Sequence, residues 1–80
     1  MPEVLLFTKP GCEKCDYVKE RIPQKIEVRV YDLESADGMA EGAFYEVLHK
    51  HTPVLVIDGE VVEGALNILK KLNTLSGEGI

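Results

Sequence analysis

The sequence predicts an α/β fold in which a four-stranded mixed sheet is flanked by three helices. Short apolar runs of strand length alternate with segments of helical periodicity in the order β-α-β-α-β-β-α. A helical crossover joins the first two strands, which is typical of a parallel βαβ unit. An Asp-Gly pair separates the last two strands and predicts a hairpin, which adds an antiparallel pair to the sheet.

The first strand and the first helix flank a loop that contains a cysteine. Residues 4–7 are all apolar, so the strand Val4–Thr8 is predicted to be central and buried on both faces. Pro10 and Gly11 end this strand. An amphipathic helix follows and stops at Pro23, and its apolar face is formed by Cys15, Val18 and Ile22.

The second strand and the second helix are predicted from periodicity alone. Apolar and other residues alternate over residues 26–32, where Ile26, Val28 and Val30 would share one face of a strand. The following helix is predicted to begin between Ser35 and Met39. Its apolar face is predicted to comprise Ala40, Ala43, Phe44, Val47 and Leu48.

The C-terminal part of the chain predicts a hairpin and a third helix. Asp58-Gly59 lies between the apolar runs 54–57 and 60–63, and a two-residue turn of this type needs positive φ at both positions. The last helix has a regular apolar face formed by Ala65, Ile68, Leu69 and Leu72.

Length and charge limit the classes of partner. The 80 residues predict one domain over residues 1–75 and a flexible tail at 76–80. Nine basic and fourteen acidic residues give a net charge of −5, which argues against nucleic acid and anionic membranes as partners. No apolar run has the length of a membrane span, and the N-terminus does not resemble a signal peptide. We expect a cytoplasmic protein that works as a monomer.

The two cysteines, Cys12 and Cys15, carry the chemical signal. Their spacing beside a βαβ unit indicates redox chemistry or metal binding in a cytoplasmic chain. Cys12 precedes the helix, where unpaired N–H groups favour the thiolate, and Lys9 and Lys14 act in the same direction while Glu13 opposes them. We therefore expect Cys12 to attack a substrate disulfide and Cys15 to resolve the mixed disulfide.

Other functions remain open for this cysteine pair. A structural disulfide would close a short loop, which stabilises a chain little. A zinc site would need further ligands, and His49 and His51 do not have the spacing of a two-cysteine, two-histidine site. An iron–sulfur cluster shared between two copies needs fewer ligands from each chain. An inactive interaction domain that keeps only the fold is a further alternative.

The motifs resemble the thioredoxin-fold superfamily, and specifically its small glutaredoxin-like proteins. The segments that carry the resemblance are residues 5–15, which include both cysteines, residues 52–56, which include Thr52-Pro53, and Asp58-Gly59-Glu60 with Gly64. The resemblance implies a thioredoxin-like βαβαββα fold and thiol–disulfide oxidoreductase activity. It also implies a cis Thr52-Pro53 bond, pairing of the Thr52 backbone with an extended substrate, and binding of a glutathione carboxylate by Lys9.

The resemblance implies partners as well as residues. Disulfide-containing client proteins would be substrates, and glutathione or a thioredoxin-type reductase would supply electrons without a tightly bound cofactor. The sequence departs from the family at three places. Glu13-Lys14 separate the cysteines, Leu6 stands where thioredoxins bury an acidic residue, and only Gly64 matches the Gly-Gly and acidic residues with which glutaredoxins bind glutathione.

Overall fold

The computed structural model describes residues 3–77, and it has the predicted order of elements. The strands are β1 (Val4–Thr8), β2 (Arg29–Asp32), β3 (Val54–Ile57) and β4 (Glu60–Glu63). The helices are α1 (Glu13–Lys19), α2 (Ala36–Phe44) and α3 (Ala65–Ser76). Helix α3 thus extends one residue into the segment predicted as a tail, and residues 78–80 lie outside the described part of the chain.

The four strands form one mixed sheet in the order β2-β1-β3-β4. Strand β1 is central, pairs in parallel with β2 and antiparallel with β3, and is buried along its whole length. The hairpin between β3 and β4 has the predicted turn, with φ of 48° at Asp58 and 86° at Gly59. These features confirm the predicted thioredoxin-like fold.

Each face of the sheet is covered by a separate apolar cluster. Helices α1 and α3 pack on one face, where the cluster is formed by Val4, Leu6, Val18, Leu55, Ile57, Ile68 and Leu72. On the other face, α2 and the segment after it cover Leu5, Phe7, Leu33, Val47, Val54 and Val56. Successive residues of β1 alternate between the two clusters, as the geometry of a strand requires.

Strand β2 is shorter than residues 26–32, the range predicted from alternation. Its pairing with β1 begins at Leu5↔Arg29, and the chain before it turns, with the Ile26 amide bonded to the Pro23 carbonyl at 3.1 Å. Ile26 and Val28 still pack against the core, which explains the alternating pattern. Val30 is 47 % exposed because β2 is an edge strand.

Helix α2 begins at the Ser35 cap, where the Ser35 hydroxyl accepts a 2.9 Å hydrogen bond from the Gly38 amide. Its predicted apolar face is wrong. Phe44 is 76 % exposed and Ala40 and Ala43 are exposed, whereas the buried positions of the helix are Gly38 and Gly42.

The end of α2 explains why Val47 and Leu48 are not helical. Glu46 adopts a left-handed φ of 59°, its amide bonds the Ala43 carbonyl, and the Val47 amide bonds the Gly42 carbonyl at 2.8 Å. This is a Schellman termination, in which glycine usually occupies the left-handed position. The glutamate there gave no sequence signal for a helix end. Val47 consequently enters the core from outside the helix.

Candidate active site

Cys12 caps the N-terminus of α1. It has an extended backbone conformation, and its Sγ accepts a 3.1 Å hydrogen bond from the backbone amide of Cys15. Gly11 precedes it with φ of +72°, a conformation that side chains disfavour. First-turn amides of a helix lack partners within the helix, so the sulfur satisfies one of them. A thiolate accepts such a bond more strongly than a thiol, so this contact favours the reactive form of Cys12.

The two cysteines form a disulfide, with their Cα atoms 5.2 Å apart. Cys15 is fully buried beside Val18 on the inner face of α1, whereas Cys12 is partly exposed. The structure therefore brings together the two residues that the sequence singled out, and it gives access from solvent to Cys12.

The Thr52-Pro53 segment lies directly beside Cys12. Val54, the first residue of β3, pairs with Phe7 near the end of β1, and this pairing places the start of one strand next to the loop that follows the other. The Thr52 hydroxyl donates to Cys12 Sγ across 3.5 Å, and the Thr52 carbonyl oxygen lies 3.8 Å from the same sulfur. The Thr52-Pro53 peptide is cis, as the resemblance implied.

An ion pair that the sequence did not reveal links this segment to β4. Lys50 Nζ lies 3.3 Å from Glu63 Oε2, and it joins the chain before Thr52 to the end of β4. The two residues are 13 positions apart in sequence, and no local pattern predicts their contact. The pair is partly exposed, so it stabilises the fold little.

Gly64 occupies the cap position of α3 with φ of +90°, and no side chain caps this helix. It lies in a cleft of about 550 Å³ between α1 and the first turn of α3. The lining residues are Glu13, Lys14, Tyr17, Gly64, Ala65, Leu66 and Asn67. Lys9 does not line this cleft; it is exposed in the loop before Cys12. Sequence reasoning missed Tyr17 and Leu66, because their contribution depends on how α1 and α3 pack.

The described residues include no group of three or more His, Cys, Asp or Glu side chains arranged to hold a metal ion. Both His49 and His51 are exposed. None of the helices in residues 3–77 is long and apolar enough to span a membrane.

Two crystal structures of one protein resemble the whole architecture. The thioredoxin-like protein BC3987 matches with a TM-score of 0.68 and 29 % identity, covering 88 % of this chain and 99 % of its own. A point mutant of BC3987 matches with a TM-score of 0.70 and 28 % identity, covering 92 % of this chain and 97 % of its own. No curated protein sequence matches at a significant level.

The family comparison agrees with the geometry of the site. The glutaredoxin family model matches residues 4–62, which include both cysteines and Thr52-Pro53 and end just before Gly64. Together with a C-x-x-C pair joined as a disulfide, this match supports thiol–disulfide redox chemistry. The chain belongs to the glutaredoxin family.

Proposed function

We propose that the protein is a thiol–disulfide oxidoreductase that reduces protein disulfides and mixed disulfides with glutathione. The observation that carries the proposal is the environment of Cys12 Sγ. This sulfur accepts hydrogen bonds from the Cys15 amide at 3.1 Å and the Thr52 hydroxyl at 3.5 Å, and it is bonded to the buried Cys15. Cys12 Sγ is accessible from solvent, its thiolate would be stabilised by these donors, and Cys15 lies close enough to resolve a mixed disulfide.

The reaction begins with the reduced dithiol. The Cys12 thiolate attacks one sulfur of the substrate disulfide, a Cys12–substrate disulfide forms, and the other substrate sulfur leaves as a thiolate that takes up a proton. The Cys15 thiol then loses its proton and attacks Cys12 Sγ, which releases the second substrate thiol. The substrate gains two electrons and two protons, and the Cys12–Cys15 disulfide forms.

Two thiols must then return the protein to its dithiol form. Two glutathione molecules would do so and become glutathione disulfide, and the exposed Lys9 would bind a glutathione carboxylate. The extended substrate would pair with the Thr52 backbone, which precedes the paired residues of β3. We expect no tightly bound cofactor, and we expect the protein to act as a monomer in the cytoplasm, where thiols are kept reduced.

A dithiol reductase of the thioredoxin type is the second candidate electron donor. The observation that favours it is the first turn of α3, where Ala65 and Leu66 follow Gly64 in place of the glycine and acidic residues that glutaredoxins use for glutathione. The two donors differ in charge and size, so they would contact different parts of the surface around Cys12.

A coupled assay distinguishes the two donors and tests the proposal itself. Reduction of a protein disulfide is followed through NADPH consumption, with glutathione and glutathione reductase in one series and thioredoxin reductase in the other. We expect turnover in at least one series and none with Cys12→Ser. Absence of turnover in both, or full turnover with Cys12→Ser, would contradict the proposed function.

A further inference from the structure

The cleft between α1 and α3 begins beside the redox disulfide. Glu13 and Lys14, the two residues between the cysteines, form part of its wall, and Tyr17 continues this wall along α1. The first turn of α3 forms the opposite wall. The rim of the cleft thus lies next to Cys12 in the chain, near the neighbours of any cysteine that is bonded to Cys12.

Two large apolar side chains in this cleft are open to solvent. Leu66 is 71 % exposed, and Tyr17 is 43 % exposed with the Arg21 guanidinium carbon 3.7 Å from its ring centroid. The core positions of α3 are Ile68 and Leu72, so packing of the helix against the sheet does not need a leucine at position 66. Contact between an exposed leucine and water is unfavourable. A bound apolar group would remove part of this side chain from water and so gain free energy of binding.

The two charged side chains that line the cleft cancel each other. Glu13 and Lys14 carry opposite charges, and neither forms an ion pair with another residue in the range 3–77. Asn67 and the Tyr17 hydroxyl are the other polar groups of the lining side chains, and Asn67 Nδ2 donates to the Glu63 carbonyl at 3.2 Å. The amides in the uncapped first turn of α3 can donate to a main-chain carbonyl group of a peptide, as they can to a carboxylate.

We propose that this cleft binds an apolar side chain adjacent to the reacting cysteine of an extended protein client, so that Tyr17 and Leu66 make the enzyme prefer such disulfides over the mixed disulfide of glutathione. This inference rests on the proposed oxidoreductase function and specifies its substrate class. Apolar contact lowers the free energy of the encounter with Cys12, so the preference is one of second-order rate constants.

The test measures single-turnover reduction by the reduced protein, which supplies both electrons itself. The probes are short capped peptides in which one cysteine carries a thionitrobenzoate group as a mixed disulfide. Cys12 attacks the peptide sulfur, the coloured thiolate leaves, and its release gives the rate. One peptide has leucine beside the cysteine, one has serine there, and the third probe is glutathione with the same leaving group.

We expect the leucine peptide to react about fivefold faster than the serine peptide and the glutathione probe, as partial burial of one apolar side chain implies. Leu66→Ser should lower the rate with the leucine peptide towards that of the serine peptide, and should lower the other two rates by a smaller factor. The matched control is Phe44→Ser, which removes an even more exposed apolar side chain from the opposite face of the sheet and should change none of the three rates.

Equal rates with the three probes, or equal effects of Leu66→Ser on all of them, would overturn this inference while leaving the redox function intact. Faster reaction of the glutathione probe would overturn it in favour of a glutathione site. Absence of thionitrobenzoate release from every probe would instead overturn the proposed function on which the inference rests.

Discussion

The hydroxyl of Thr52 donates a hydrogen bond to Cys12 Sγ across 3.5 Å, although the two residues are 40 positions apart. The contact exists because β3 runs antiparallel to β1, which places its first residue beside the loop that contains Cys12. A side chain just before the start of β3 thus contacts the sulfur in the loop that follows β1. The sheet, and not the C-x-x-C motif alone, sets the environment of Cys12 Sγ.

Removal of the Thr52 hydroxyl should make Cys12 a weaker nucleophile. In Thr52→Ala the thiolate loses one donor, so we expect a higher pKa of the Cys12 thiol and slower alkylation by iodoacetamide at neutral pH, by about twofold to fivefold. Thr52→Ser keeps the hydroxyl and serves as the control. An unchanged pH profile of alkylation in Thr52→Ala would show that the hydroxyl does not act on the sulfur.

The charge of Glu13 should act in the opposite direction. Glu13 is the first residue of α1 and directly follows Cys12, and a nearby negative charge disfavours a thiolate. Glu13→Gln should therefore lower the pKa of the Cys12 thiol and raise its alkylation rate at neutral pH by about twofold. Glu20→Gln makes the same change of charge at the other end of α1 and should have little effect. Slower alkylation of Glu13→Gln would be evidence against this prediction.

Gly38 should be required for the stability of the fold. A Cβ atom at this position would overlap the backbone carbonyl of Asp32, which cannot move without disturbing β2. We expect Gly38→Ala to lower the free energy of unfolding by about 1–3 kcal/mol despite the better helix propensity of alanine. The measurement is urea unfolding of the oxidised protein.

Gly42→Ala provides the matched control for this variant. A Cβ atom there would meet the ends of the Leu33 and Leu48 side chains, at 2.7 and 2.8 Å, and these ends can rotate away. Its loss of stability should therefore be smaller than that of Gly38→Ala. A Gly38→Ala protein as stable as the wild type would contradict the close approach of α2 to the Asp32 carbonyl.

The fold was predictable where local residues determine it and not where backbones approach closely. The Asp58-Gly59 turn was predictable because a local pair of residues determines it, and the burial of β1 on both faces followed from its continuous apolar run. The inner face of α2 was not predictable from hydrophobicity, because Gly38 and Gly42 are buried through close backbone approach and not through apolar area.

The candidate site shows a similar division. Cys12 and Cys15 were predictable because their chemistry depends on a local motif at a helix N-terminus. The Thr52–Cys12 contact and the Lys50–Glu63 ion pair depend on strand pairing over long sequence distances, which no local pattern encodes. The apolar cleft depends on the packing of α1 against α3, which also lies beyond local periodicity.

Tyr45 should give the protein a pH-dependent stability in the alkaline range. Burial raises the pKa of Tyr45 above 10.0. The hydrogen bond that its hydroxyl donates to Glu3 Oε1, 3.1 Å away, raises this pKa further. Because the pKa is raised in the folded state, the contribution of Tyr45 to the free energy of unfolding is fully present below the pKa of the unfolded state. This contribution is lost as the pH rises through the pKa of the folded state.

The measurement for Tyr45 is the free energy of unfolding of wild type relative to Tyr45→Phe. We expect this difference to be constant from neutral pH to about pH 10 and to fall at higher pH. Glu3→Gln removes the carboxylate that disfavours the tyrosinate and should weaken the fall. A difference that grows above pH 10 would have the wrong sign for this account.

The most direct test of the central claim is the intact mass of Cys15→Ser and Cys12→Ser after each reduced variant is incubated with a peptide disulfide. Cys12 is accessible and hydrogen-bonded, whereas Cys15 is buried behind it. We predict that Cys15→Ser accumulates one peptide adduct, because Cys12 attacks and no second thiol resolves the product, and that Cys12→Ser gains none. An adduct on Cys12→Ser alone would reverse the assignment of the nucleophile, and no adduct on either variant would contradict the redox function.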